Sequence, residues 1–273
     1  MFRLLVQELK FRRNTILGWG LGLCFFPLVY IGIYPSVAEE MAGFADLEIY
    51  AAMGMSIGTF ADWIGSILIV LFPLVAAIFA IGNGTGTLAG EEEDGRLEML
   101  VTLPIPRWQI VTAKALALTI SSLLIYLIVG VASWLVFLGI ESQIETVLSP
   151  LDMFSTVLAS WPSVFAIGMI AMFLAAFTSS RRFATMIATA VLVISYFGSN
   201  LAASTPLIEP FEPFFLFTYL DGTGKAVVEG QQIGDILVLL GIGLGAFILA
   251  LVFFQIRKLT VGAWPWQRGK VEA

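Results

Sequence analysis

The sequence predicts an all-α membrane protein, and the prediction rests on its composition, on six long apolar stretches and on the placement of its basic residues. The chain has 273 residues, of which 59% are hydrophobic and only 12% are charged. This is more apolar surface than one soluble core of that length buries. We therefore expect lipid to surround most of the chain.

Six uncharged stretches are each longer than the roughly 20 residues that a helix needs to cross a hydrocarbon core of about 30 Å. Backbone groups find no water in that core, so each stretch is predicted to be a helix. Pro27, Pro73 and Pro162 fall within these stretches and are expected to kink their helices. The predicted spans cover residues of about 16–34, 63–89, 112–140, 153–178, 183–203 and 233–256.

The basic residues predict the orientation, because lysine and arginine are retained on the cytoplasmic side of a membrane. With the N-terminus inside, thirteen of the fourteen basic residues lie in inner segments, and Lys225 alone lies outside. Both termini are therefore predicted to be cytoplasmic. The expected location is the inner (plasma) membrane of a prokaryotic cell, which the chain crosses several times.

This orientation predicts the labelling of single cysteines in a Cys24→Ala background. A cysteine at Lys225 is expected to react with a membrane-impermeant thiol reagent in intact cells, whereas a cysteine at Arg181 is expected to react only after the membrane is permeabilised. The measurement is the labelled fraction before and after permeabilisation. Labelling at Arg181 in intact cells would contradict the predicted topology.

The first fourteen residues carry a separate helical pattern. Phe2, Leu5, Val6 and Leu9 recur at i, i+3, i+4 and i+7, with charged residues elsewhere on the wheel. Residues 1–14 are therefore predicted to form an amphipathic helix on the inner leaflet, the alternative being a simple basic anchor. No linker divides the chain, so residues 1–273 are expected to form one transmembrane domain.

The connection between the second and third spans, residues 90–111, is the most informative segment. It opens with four acidic residues, Glu91 to Asp94, which place it in water. Leu97, Leu100 and Val101 then follow helical spacing until Pro104 ends the pattern. A short cytoplasmic helix with one apolar face is suited to docking into a groove on another protein.

Here the sequence resembles the permease subunits of type-2 ABC exporters, which carry in the same loop an acidic residue, Gly-Thr-Leu-Glu, a short apolar helix, a proline, a basic residue and a lysine opening the third span. This chain has Arg96 where the family has threonine, and Lys114 in the lysine position. The resemblance implies that the short helix is a coupling helix, which contacts a separate ABC ATPase subunit. The residues implied in this contact are Glu91, Glu93, Gly95, Leu97, Glu98, Leu100, Val101, Pro104 and Arg107.

The sequence gives little support for chemistry within the chain. It contains no histidine and no phosphate-binding loop of the G-x-x-x-x-G-K-[ST] type. No catalytic residue, metal site or cofactor is predicted, although consecutive carboxylates at 91–94 leave a divalent-cation site open as an alternative. ATP and Mg²⁺ are expected on the partner ATPase, and nucleic acid is not an expected partner. The six stretches hold no ionisable side chain, which argues against proton-coupled or ion-coupled transport.

The resemblance further implies a pair of permease subunits, identical or different, whose second and fifth spans face each other in the bilayer. The predicted function is outward movement of a lipophilic or amphipathic substrate with energy from the ATPase. The alternative is a non-transporting scaffold or channel that only docks a cytoplasmic partner. The candidate substrate path, for which ordinary helix packing is the competing interpretation, consists of Phe72, Phe79, Asn83, Ser195, Phe197 and Asn200.

Overall fold

The computed structural model describes residues 1–38, 58–95, 105–178 and 180–256. Within these ranges the chain is helical and contains no strand, and six helices are long and apolar enough to cross a membrane. The predicted fold class is therefore confirmed. The six helices are α1 (Phe2–Ile31), α2 (Phe60–Glu93), α3 (Arg107–Gln143), α4 (Pro150–Phe177), α5 (Arg181–Ser204) and α6 (Ile233–Ile256).

Helices α2 and α4 form the interior of the bundle. In their most apolar windows 78% and 72% of the residues are buried, against 28% in α5 and 22% in α6. The central helix α4 packs against α2 on one side and α6 on another, while α1 packs against α3 and α5 against α2. Most of the apolar surface of α5 and α6 is thus left for lipid or for a second subunit.

The three prolines, at which kinks are predicted, lie where the regular α-helix is interrupted. Proline lacks the backbone N–H that would continue the helical ladder, and it clashes with the carbonyl four residues earlier. Wider π-helical turns accommodate such a break. Pro27 begins a π-helical segment (Pro27–Ile31), Pro73 follows a second one (Gly65–Leu71), and Pro162 follows the break in α4 at Ser160.

The N-terminal segment differs from the prediction of two helices. One α-helix runs from Phe2 to Leu23 without a turn between residues 14 and 16. No glycine or proline occurs before Gly18, so nothing in the local sequence breaks the ladder. The predicted interfacial segment is therefore the first part of α1, and its position relative to the lipid surface stays a prediction.

The connection between α5 and α6 covers the first turns of α2, at the end that is predicted to lie outside. It contains two short 3-10 helices, Glu209–Phe214 and Leu216–Tyr219, and a short α-helix, Gly224–Glu229. The backbone N–H of Gly224 donates to Asp62 Oδ1 at 2.8 Å. A Cβ at Gly224 would lie 2.7 Å from the same oxygen, so glycine is required for this close approach. The Gly-Thr-Gly-Lys sequence at residues 222–225 is thus a packing element on the predicted outer side.

Two glycines of α2 have different surroundings, so replacement by alanine is expected to affect stability differently at each. A Cβ at Gly84 would lie 2.7 Å from the carbonyl oxygen of Gly168 in α4, whereas a Cβ at Gly82 meets nothing within 4 Å. Gly84→Ala is expected to lower stability by about 1–3 kcal/mol, the usual cost of overpacking. Gly82→Ala is expected to be neutral or to stabilise by up to about 1 kcal/mol through helix propensity.

Thermal unfolding of the two variants in the same detergent measures this expected difference in stability. Equal unfolding temperatures for Gly84→Ala and Gly82→Ala would contradict the close contact between α2 and α4.

Candidate functional site at the inner ends of the helices

A buried lysine lies at the centre of the polar residues that join the helix ends predicted to face the cytoplasm, which we call the inner ends. The side chain of Lys114 in α3 has no solvent exposure, and its Nζ lies 2.7 Å from Glu8 Oε1 and 2.6 Å from Glu91 Oε2. It also donates to Glu91 Oε1 at 2.7 Å. Charge-assisted hydrogen bonds of this length are the strong ones, and they offset the desolvation of a buried ammonium.

The local sequence explains how the three charges meet. Pro106 caps α3, and Lys114 comes two turns later, immediately before the uncharged stretch begins at Ala115. At its inner end α2 contains a π-helical segment, Gly86–Gly90, which ends directly before Glu91. Glu91 therefore lies at the same height in the bundle as Lys114. Glu8 reaches that level from α1, which packs against α3. We call these residues, Glu8, Glu91 and Lys114, the clasp.

Arg12 balances the charge of the clasp. Its Nε lies 3.8 Å from Glu8 Oε2, one helical turn away, and both side chains are largely buried. Its Nη1 donates to Asn83 Oδ1 of α2 at 3.4 Å. Two carboxylates and two cations therefore occupy the junction of α1, α2 and α3, and the junction is neutral as a whole. Neutrality matters because an uncompensated charge in this position would carry the full desolvation cost.

A second contact ties α5 to α2. The backbone N–H of Arg181, the first residue of α5, donates to Glu93 Oε1 at 2.7 Å. A carboxylate is favoured there because the N-terminus of a helix carries partial positive charge. The Arg181 side chain crosses the π-helical segment of α2, where a Cβ at Gly90 would lie 3.1 Å from Arg181 Cδ. The small residues of that segment thus allow α5 to approach.

Arg107 joins α3 to α6. Its Nη1 donates to the backbone carbonyl of Gln255 at 3.5 Å, near the end of α6. With the clasp and the Glu93 contact, polar interactions connect the inner ends of α1, α2, α3, α5 and α6. No group of three or more acidic, histidine or cysteine residues among the described residues has an arrangement that could hold a metal ion.

The predicted ATPase-contact residues divide into two sets. Glu91, Glu93, Gly95 and Arg107 lie in the described segments at the two ends of the connection. Gly95 has a φ of +73°, a left-handed conformation that glycine adopts without strain. The remaining residues of this set lie outside the described residues, so their roles stay predictions: Leu97, Glu98, Leu100, Val101 and Pro104.

On α2, the predicted substrate-path residues lie mainly in the protein interior. Phe72 packs against Phe26 and Tyr126, and Phe79 packs edge-on against Trp19; both phenylalanines are buried. Asn83 is half-buried and accepts the Arg12 hydrogen bond.

On α5, the three predicted path residues have three different surroundings. Buried Ser195 accepts hydrogen bonds from the backbone N–H groups of Leu216 and Phe217, and so holds the outer connection. Phe197 is 58% exposed on the bundle surface. Asn200 lines an outer cavity of about 470 Å³. The structure thus does not bring all six residues into one continuous path, and their role in transport stays a prediction.

Sequence reasoning did not find Glu8, Arg12 and Arg181 as members of this site. One signal was available for Glu8, which is the single acidic residue in an otherwise basic N-terminal segment. No signal could identify its partner, because Lys114 lies 106 residues further along the chain.

Fold and site together define a multi-pass all-α membrane protein whose helices are joined at one end of the bundle by buried ion pairs, beside the connection between the second and third helices. Its family follows from a comparison with protein-family models. The model described as "ABC-2 family transporter protein" matches residues 4–259, nearly the whole chain. The protein therefore belongs to the ABC-2 transporter family and is a transmembrane transport protein of the permease type. Among curated proteins, none matches the chain.

Proposed function

We infer that this chain is the membrane-spanning permease subunit of an ATP-driven exporter, and that a separate ATPase subunit drives it through the connection at residues 90–111. The observation that carries this inference is the clasp. Glu91 lies at the start of the connection and Lys114 follows its end, and their side chains meet at 2.6 Å. A force applied to the connection would therefore reach α2 and α3 together.

The same contacts would distribute the force across the bundle. Glu8 would pass it to α1, and Glu93 would pass it to α5 through the Arg181 backbone. A contiguous set of ion pairs and rigid helices is a physical route for such coupling. In this proposal ATP and Mg²⁺ bind the partner, and the chain itself carries no catalytic residue and no cofactor.

The proposed assembly contains two permease subunits, identical or different, with an ATPase subunit below each. The large exposed apolar surface of α5 is consistent with a subunit contact. The apolar character of the helices favours a lipophilic or amphipathic substrate. With the basic residues inside, the proposed location is a prokaryotic plasma membrane with both termini in the cytoplasm.

Reconstitution tests the proposal. The neighbouring reading frames are searched for a P-loop ATPase, the ATPase found is co-expressed with the chain, and the pair is purified and placed in liposomes. We expect the ATPase to co-purify, the ATPase activity to depend on the permease, and a lipophilic fluorescent substrate to be transported only with ATP and Mg²⁺. The chain purified alone is expected to hydrolyse no ATP, because its sequence lacks a phosphate-binding loop.

The alternative functions give different results in the same experiment. A scaffold would retain the ATPase without ATP-dependent transport, and a channel would pass the substrate without ATP. Either result would overturn the exporter assignment.

A further inference from the structure

A groove between α1 and α3 has the composition of a lipid site. It has a volume of about 710 Å³ and opens on the surface of the bundle. Leu17, Leu124 and Val131 are between 40% and 48% exposed, so the groove walls are accessible in the isolated subunit. Its apolar walls comprise Leu9, Ile16 and Leu17 of α1 and Leu124, Ile128 and Val131 of α3.

One cation lies in the α1 wall of this groove, one turn after Leu9. Arg13 is exposed and lines the groove one turn before Ile16 and Leu17. It makes no ion pair within the part of the chain that the structure describes, in contrast to Arg12 beside it, which pairs with Glu8. Among the described residues that line the groove, none is acidic.

The apolar walls beyond Arg13 fit within one leaflet. Leu124 and Val131 are seven residues apart along α3, which is a rise of about 10 Å. Half of a hydrocarbon core is about 15 Å. In the orientation that the basic residues predict, Arg13 lies at the headgroup level of the inner leaflet, and the apolar walls extend toward the bilayer centre.

We propose that this groove binds one anionic phospholipid of the inner leaflet, with an acyl chain along α1 and α3 and the headgroup phosphate on Arg13. Charge complementarity supports this occupant, because a guanidinium pairs with phosphate in a fork geometry and basic pockets between helices bind lipid headgroups. A second copy of the chain fits less well. A two-fold contact through this face would bring two Arg13 side chains together.

Native mass spectrometry of the full chain in detergent tests the proposal. The chain is titrated with dioleoyl phosphatidylglycerol and with dioleoyl phosphatidylcholine, which share acyl chains and differ in net charge. We expect the first phosphatidylglycerol to bind about fivefold more tightly, the ratio that one basic residue near an anionic surface contributes. Arg13→Gln is expected to abolish this preference and to leave phosphatidylcholine binding unchanged.

Two further variants separate the parts of the site. Arg182→Gln, which removes another exposed inner arginine at the start of α5, is the matched control and is expected to keep the preference. Leu124→Trp fills the groove without changing charge, and it is expected to weaken binding of both lipids by at least about fivefold.

Three results would each overturn the proposal. They are equal binding of the two lipids to the wild-type chain, an unchanged preference in Arg13→Gln, and loss of the preference in Arg182→Gln. Exclusion of lipid from a dimer but not from a monomer would also overturn it, because a second copy would then occupy the groove. None of these measurements involves the ATPase, so failure of the lipid site is distinguishable from failure of the proposed export function.

Discussion

Lys114→Met is expected to lower the stability of the isolated permease by about 3–5 kcal/mol, because it leaves Glu91 buried without its cation. Lys114 has no exposed side-chain surface, and Glu8 and Glu91 expose only 13% and 18% of theirs. Methionine has a similar shape and fills the same space, so the loss comes from charge rather than from a cavity. A fall in unfolding temperature on the order of 10 °C follows from this cost.

A compensating substitution separates charge from packing. In Lys114→Met with Glu91→Gln, the remaining Glu8 still pairs with Arg12 at 3.8 Å, and the junction is neutral again. We expect this double variant to recover most of the lost stability. Lys225→Met is the control, because Lys225 is 76% exposed and an exposed ion pair contributes little. Thermal unfolding in detergent measures all three variants.

The clasp would be disproved as a buried ion-pair site if Lys114→Met unfolded at the wild-type temperature. A double variant as unstable as Lys114→Met would show instead that methionine packs poorly at this position.

The second large effect is expected in the connection itself. Leu97→Asp with Leu100→Asp places two carboxylates on the predicted docking face of the coupling helix. A charge left unpaired in an apolar contact costs several kcal/mol, so binding of the ATPase is expected to fall by more than about 100-fold. Because these residues lie outside all six uncharged stretches of the sequence, the stability of the isolated permease is expected to change little.

Pull-down of the ATPase and its activity in liposomes measure this effect. Leu207→Asp is the matched control, since Leu207 is an apolar residue on the predicted outer side that is 82% exposed. Glu98→Ala is expected to be milder, because an exposed ion pair is worth about 0–1 kcal/mol. Normal binding and stimulation by the double aspartate variant would show that this segment is not the coupling element.

The number and approximate positions of the helices could be predicted because crossing a membrane is a one-dimensional requirement. A helix must supply enough consecutive apolar residues, and that count is readable along the chain. The helices are longer than the predicted spans. The helix that contains Trp63 begins at Phe60, and α3 begins at Arg107, ahead of the span predicted to begin near residue 112.

The site could be predicted less completely than the helices. Hydrophobic periodicity shows which face of a helix is buried, but it does not show which other helix packs against that face. Glu91 and Lys114 were singled out from the resemblance, yet no pattern in either segment indicated that Glu8 would share the lysine. Ser195 is similar: a polar residue in an apolar helix suggested a substrate path, and the structure places its hydroxyl on the backbone of the outer connection.

The sequence by itself determined that this is a six-helix membrane protein with its basic residues gathered on one side and a polar connection between the second and third helices. Hydrophobic length and charge asymmetry act locally, so no knowledge of packing was required. Tertiary structure alone decided which charges meet, which helices are central and where an apolar groove stays open. These depend on contacts between residues that can lie more than a hundred positions apart, and burial then makes each buried charge require its partner.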